Sequence, residues 1–175
     1  MTCSTLASWQ REARFKFHTF RHSKFMTFHS QPDDELTRGT VFKQVARLRA
    51  GESRVLLDRG HELGAVYLAG YAVECQLKYA VCERNGLTEL PSAVQFSTDQ
   101  KIKNLYVHRW SILLVAAQLQ RSLSRQVKME ALFSKLDELW GPGLRYRTKR
   151  FKPNEASSLY AEIMALYRYF TEIQP

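Results

Sequence analysis

Residues 145–152 hold Arg145, Arg147, Lys149, Arg150 and Lys152, with Tyr146 and Phe151 between them. Five like charges so close together repel unless something anionic neutralises them. A phosphate ester would do so, and the aromatic rings offer faces for base stacking. A helix start directly downstream would add partial positive charge. The competing reading is a solvated loop whose charges serve solubility or pair with Glu74 and Glu155. A second group, Tyr67, Tyr71, Glu74 and Lys78, recurs at helical spacing. It reads either as an exposed i,i+4 ion pair or as a half-buried, tyrosine-lined cleft. In the cleft reading Glu74 meets basic residues from another helix.

Other reactive residue types are sparse. His108 precedes an apolar run and reads as a residue that caps or orients the next helix. Arg54 and His61 have six residues between them, but they straddle the Asp58-Arg59-Gly60 break. Cys75 and Cys82 lie two helical turns apart, about 10 Å, which is too far for a disulfide. They read as buried thiols packing as small apolar groups. No Cys and His cluster has zinc-site spacing, so neither a metal nor a cofactor is expected.

The elements that would carry these groups read as helical from Asp34 onward. Segment 37–58 has Val41, Phe42, Val45, Leu48, Val55 and Leu56 between charges. Segment 61–84 places Val66, Gly70, Val73, Leu77 and Ala80 on one stripe, and Gly86 is a good C-terminal cap. Its Ala65, Ala69 and Ala72 would admit a close neighbour, inside the chain or at a dimer seam. Residues 87–106 read as a long loop. Segment 108–123 is apolar nearly all round, the pattern of a central helix. Segment 127–140 is amphipathic and ends at Gly141-Pro142-Gly143. The last helix runs over about 153–173. Short connections between long helices make antiparallel neighbours. The expected fold is all-α, an up-and-down bundle of four long helices plus one short helix.

Length and charge frame this reading. A chain of 175 residues holds one domain with a real core. The formal charge is +9, which points to an anionic partner. Residues 1–34 are set apart: they mix Arg11, Arg14, Lys16, Arg21 and Lys24 with five phenylalanines and keep no regular period. They read as a poorly ordered basic arm, or as an extension upstream of the natural start, with Met26 as an alternative. The helical domain then covers 35–175. No apolar run approaches membrane-span length and no secretory signal is evident, so a cytoplasmic protein is expected.

The run Tyr67-Leu68-Ala69-Gly70-Tyr71-Ala72-Val73-Glu74-Cys75, followed by Leu77-Lys78, closely resembles the HEPN family (higher eukaryote and prokaryote nucleotide-binding). His108 before its apolar segment, and Trp140 leading to Leu144-Arg145-Tyr146, follow in the family's order. The likeness spans roughly 40–173. It implies a helical bundle that dimerises, with the two basic loops meeting in one cleft. It also implies RNA or nucleotide binding, or metal-independent RNA cleavage, in toxin–antitoxin or defence systems, often beside a minimal nucleotidyltransferase. Catalytic members carry an Arg and, after four to six residues, a His near the start of the last helix. From Arg145 that His would fall at Arg150, Phe151 or Lys152, and no His follows His108. The resemblance therefore implies a non-catalytic or degenerate member binding RNA, nucleotide phosphate or a partner protein. Two alternatives stand beside it. One is a ribonuclease with a substitute acid or base such as His108, Tyr146 or His61, Arg145 and Glu74 being further candidates. The other is an antitoxin-like interaction module.

Overall fold

The computed structural model describes residues 37–91, 93–95, 101–103, 105–149 and 151–173. The arm expected over 1–34 lies outside them, as does Arg150. The fold is all-α apart from one small hairpin. Helix α1 is Gly39–Asp58 and α2 is Glu62–Arg84. Strands β1 (Ala93–Gln95) and β2 (Lys101–Lys103) pair antiparallel, with Val94 opposite Ile102. Then come α3 (Trp110–Ala116), α4 (Gln120–Ser124) and α5 (Val127–Leu139). A 3-10 turn, Pro142–Tyr146, leads to α6, Pro153–Glu172.

Helix α2 lies at the centre, and α1, α3 and α6 pack on it. Fifteen of its 23 residues are buried, so it is covered nearly all round rather than along one stripe. Ala65, Ala69 and Ala72 are fully buried, and the chain's own helices use the close approach they permit. Two three-residue strands explain why 87–106 showed no period: three residues are too few to alternate visibly.

The ends of α1 and α2 are closed alike. The His61 amide donates to the Leu56 carbonyl at 2.9 Å and the Gly60 amide to Leu57 at 3.0 Å. After α2, Leu87 donates to Cys82 at 2.8 Å and Gly86 to Glu83 at 3.2 Å. Both are Schellman closures, and Gly86 supplies the left-handed backbone at φ +64°. The three-residue connection, residues 59–61, makes α1 and α2 an antiparallel hairpin of helices.

The expected single helix over 108–123 is instead two short ones, and the centre it was meant to occupy belongs to α2. The break is held by polar side chains. The Asn85 amide donates to the carbonyls of Val81 and Ala116 at 2.8 and 3.0 Å. Gln118, at φ +55°, donates to the Asn85 side-chain oxygen at 3.2 Å. Among the described residues the long-helix count falls correspondingly: α1, α2 and α6 are long, α5 is intermediate, and α3 and α4 are short.

Trp140 locks the distant end of the chain onto α2. Its ring stacks on Trp110 at 5.1 Å and on Tyr67 at 6.2 Å between centroids. Its indole N–H donates to the Tyr67 carbonyl at 3.2 Å. The ring crosses α2 at Gly70, where a Cβ would meet the indole nitrogen at 1.9 Å. Only the absence of a side chain admits it.

Two outcomes follow. Gly70→Ala must displace Trp140 and should lower stability by about 1–3 kcal/mol. Urea denaturation followed by tryptophan fluorescence reads this, and an unchanged midpoint contradicts it. Burial also pushes the Cys75 thiol up to about 12 and the Cys82 thiol up to about 11, with Glu74 and Glu83 respectively adding to it. The folded state thus favours the neutral thiols. Their contribution is complete below the ordinary thiol range and is lost as pH rises from about 9 towards those values. The denaturation midpoint should fall over that range, and less steeply in the Cys75→Ala, Cys82→Ala double variant. Parallel falls in both proteins would contradict the assignment.

Candidate functional site

The centre of α2 carries a charge cluster that the fold has to satisfy. Glu74 has 0% exposure. Lys78, one turn on, donates to Glu74 Oε1 at 2.7 Å. His108 Nδ1 lies 2.9 Å from Oε2. Both carboxylate oxygens are therefore engaged, as a buried carboxylate requires. The Lys78 ammonium also sits over the Phe42 ring of α1, 5.7 Å from its centroid. The pair expected either on the surface or in a half-buried cleft is instead fully packed. Its second basic contact comes from the segment entering α3. The His108 side chain keeps 45% exposure and forms the outer wall of the cluster. Tyr67 and Tyr71 stack nearby at 6.4 Å and are half-buried. Burial pushes the Tyr71 phenol up, with Cys75 and Glu74 adding to the effect, so the phenol stays neutral.

His108 does not cap α3. The Ser111 amide donates instead to Asp137 Oδ1 of α5 at 3.1 Å. Asp137 was missed in the sequence because its partner lies 26 residues away and no local capping pattern marks it.

The basic segment sits elsewhere. Arg145, Tyr146, Arg147, Lys149 and Lys152 are all exposed, Tyr146 by 77%. Arg145 lies over the Tyr146 ring at 5.2 Å and Arg147 over the Phe151 ring at 4.3 Å. Both distances are within the range of cation–π contacts. Among the described residues no carboxylate forms an ion pair with Arg145, Arg147 or Lys149. Glu74 is already committed to Lys78 and His108. Glu155 is turned to the backbone: the Lys152 amide donates to its carboxylate at 3.2 Å. That carboxylate also occupies the start of α6, so the α6 helix end is less free for an anion than the sequence implied.

Two depressions flank the segment. One, of about 620 Å³, is bordered by Arg147, Phe151, Asn154, Glu155 and Ser158, with Lys135 bound to Glu162 at 2.6 Å on its far side. The other, of about 330 Å³, is lined by Thr148 together with Gly60, His61 and Gly64. His61 therefore stands beside the basic segment, although 84 residues separate it from Arg145 in the chain. Arg54, offered with it by spacing, is instead bound to Asp58 at 3.0 Å. Glu74 lies ten residues beyond Gly64, about 15 Å along α2. Within one chain the buried cluster and the basic segment are two separate places.

Among the described residues no group of three or more His, Cys, Asp or Glu is placed to hold a metal ion. None of the described helices is long and apolar enough to cross a membrane. Comparison with family models, curated proteins and solved structures finds no match.

The buried cluster makes a clear prediction. Glu74→Ala leaves the Lys78 ammonium buried without its carboxylate and should cost about 3–5 kcal/mol. The double change Glu74→Leu, Lys78→Met removes both charges and should recover most of that loss. Chemical denaturation of the three proteins tests it; a double variant no more stable than Glu74→Ala would contradict the pairing.

Proposed function

We propose that this chain is a HEPN-like helical bundle, a homodimer, that binds RNA or a nucleotide phosphate through residues 145–152 without cleaving it. The observation that carries the reading is the set of exposed cations at Arg145, Arg147 and Lys149 with no carboxylate partner among the described residues. Unneutralised cations beside ring faces suit a phosphate backbone with stacked bases. The Glu74 cluster supports the same reading from the other side. Its carboxylate is fully engaged inside the bundle, so it does not serve to neutralise the segment. In this reading Glu74, Lys78 and His108 are structural, and Tyr67 and Tyr71 belong to the packing around them.

Cleavage would need a group that can exchange a proton near neutral pH. Arginine cannot do this, and the family's histidine position holds Arg150, Phe151 or Lys152. One observation favours a second reading, a metal-independent ribonuclease. His61 borders the depression that Thr148 closes. It could exchange a proton with an RNA 2′-hydroxyl while Arg147 and Lys149 stabilise the phosphate. His108, bound to Glu74, is not placed for that role.

RNA binding should be salt-sensitive. Replacing Arg145, Arg147 and Arg150 together by Ala should weaken it on the order of tenfold or more and flatten its salt dependence by about two units of slope. Fluorescence anisotropy with a labelled single-stranded RNA measures both. Unchanged affinity and slope would remove the segment as the site. The same RNA should remain intact on prolonged incubation; cleavage abolished by His61→Ala would establish the second reading instead.

A further inference from the structure

The depression bordered by Arg147 and Phe151 is a groove between α5 and α6. Lys135 and Leu139, one turn apart on α5, line one side of it. Asn154, Ser158 and Glu162, each one turn from the next on α6, line the other. At the far end Lys135 and Glu162 satisfy each other at 2.6 Å. At the near end stands the basic segment. Arg147 lines this groove and Thr148 lines the depression at the α1–α2 corner, so the segment is a ridge between the two. A volume of about 620 Å³ falls within the range of small-molecule sites, about 300–1,000 Å³.

The groove is apolar beside a charged ridge. Leu139, Phe151 and Leu159 all line it. Leu139 is 55% exposed, although Phe133, Leu136 and Trp140 of the same stretch are buried. One exposed leucine is ordinary. Three apolar side chains around one groove, next to cations with no carboxylate partner among the described residues, suit a flat ring that carries a phosphate.

The polar side chains select the ring. Glu155 Oε2 accepts from the Lys152 amide at 3.2 Å, and among the described residues nothing donates to Oε1. A carboxylate accepts and does not donate, so it favours a base whose edge presents adjacent N–H donors. Guanine presents N1–H beside the N2 amine, and its O6 can accept from the Asn154 amide. Adenine, cytosine and uracil each set an acceptor directly beside their donor at that edge, where it would face the carboxylate.

We infer that this groove takes a guanine base. The ring packs on Leu139, Phe151 and Leu159, Glu155 and Asn154 read its Watson–Crick edge, and its phosphate rests on Arg147 and Lys149. The inference rests on the phosphate-binding reading above and names the base. That edge is the one used in pairing, so the guanosine is unpaired, in a single strand or as a free nucleotide.

Fluorescence anisotropy of the full chain at low salt tests this with a short labelled oligouridine carrying one central guanosine, adenosine or inosine. The guanosine strand should bind about tenfold tighter than the adenosine strand, with inosine, which lacks the N2 amine, between them. Glu155→Gln should bring the guanosine-to-adenosine ratio close to one. Glutamine there can still accept from the Lys152 amide, so the helix start is kept. Removing a negative charge favours every strand alike, so the ratio and not the affinity is the readout. Leu139→Ser, on an exposed side chain, should lower the ratio as well. Displacement of the guanosine strand by GMP but not by AMP would uphold the groove with a free nucleotide as ligand; a guanosine preference that GMP does not compete would uphold it with RNA as ligand. Salt-sensitive binding with equal affinity for the three strands, or a ratio unmoved by Glu155→Gln, would overturn the base assignment alone. No binding to any strand would overturn it together with the phosphate reading.

Discussion

The structure depends on burying α2 on all sides while a carboxylate sits at its middle. A helix covered by α1, α3 and α6 has no solvent to offer Glu74. The fold answers with two donors from different parts of the chain. Lys78 comes from the next turn, and His108 is brought in by the segment that enters α3. Removing Lys78 or His108 leaves a buried carboxylate short of a partner, whereas removing Glu74 and Lys78 together leaves neither charge buried alone and is far less costly. This cluster therefore fixes how the chain after the hairpin docks on α2. Trp140 fixes the following stretch in the same way, through Gly70 and the Tyr67 carbonyl.

The two anchors decide what is left for function. With Trp140 pinned, the 3-10 turn and the basic segment are delivered to the α1–α2 corner, where Thr148 lines one depression with His61 and Gly64. With Glu74 engaged inside, it provides no carboxylate for the cations of that segment. A buried acid and an exposed set of bases are thus consequences of one packing arrangement. The segment's composition fits the same division: it carries the charge that the proposed phosphate binding needs, and no histidine to move a proton.

Much of this was legible in the sequence because it is local. The three-four spacing of α1, α2, α5 and α6 gave their positions, and Gly86 and Gly141-Pro142-Gly143 marked true ends. The clustering of charge at 145–152 was visible by inspection. What escaped depends on contacts between distant residues. Glu74 and Lys78 look the same at i,i+4 whether the face is wet or dry; only the position of His108 shows that it is dry. The break after Ala116 is set by Asn85, thirty-one residues earlier. Segment 108–123 looked central because it is apolar, yet α2 holds that place because its alanines and glycines let neighbours close in. His61 stands across the Asp58-Arg59-Gly60 break from Arg54 in the sequence, yet in space it borders the depression that Thr148 of the basic segment also lines.

The claim that residues 145–149 and their corner form the phosphate site is tested most directly by amide chemical shifts during titration with a short single-stranded RNA. The shifts should concentrate at Arg145, Tyr146, Arg147, Thr148 and Lys149, extend to His61, and vanish as salt is raised. Shifts confined to α5, or to the outer face of α1 at Leu48 and Val55, would contradict it.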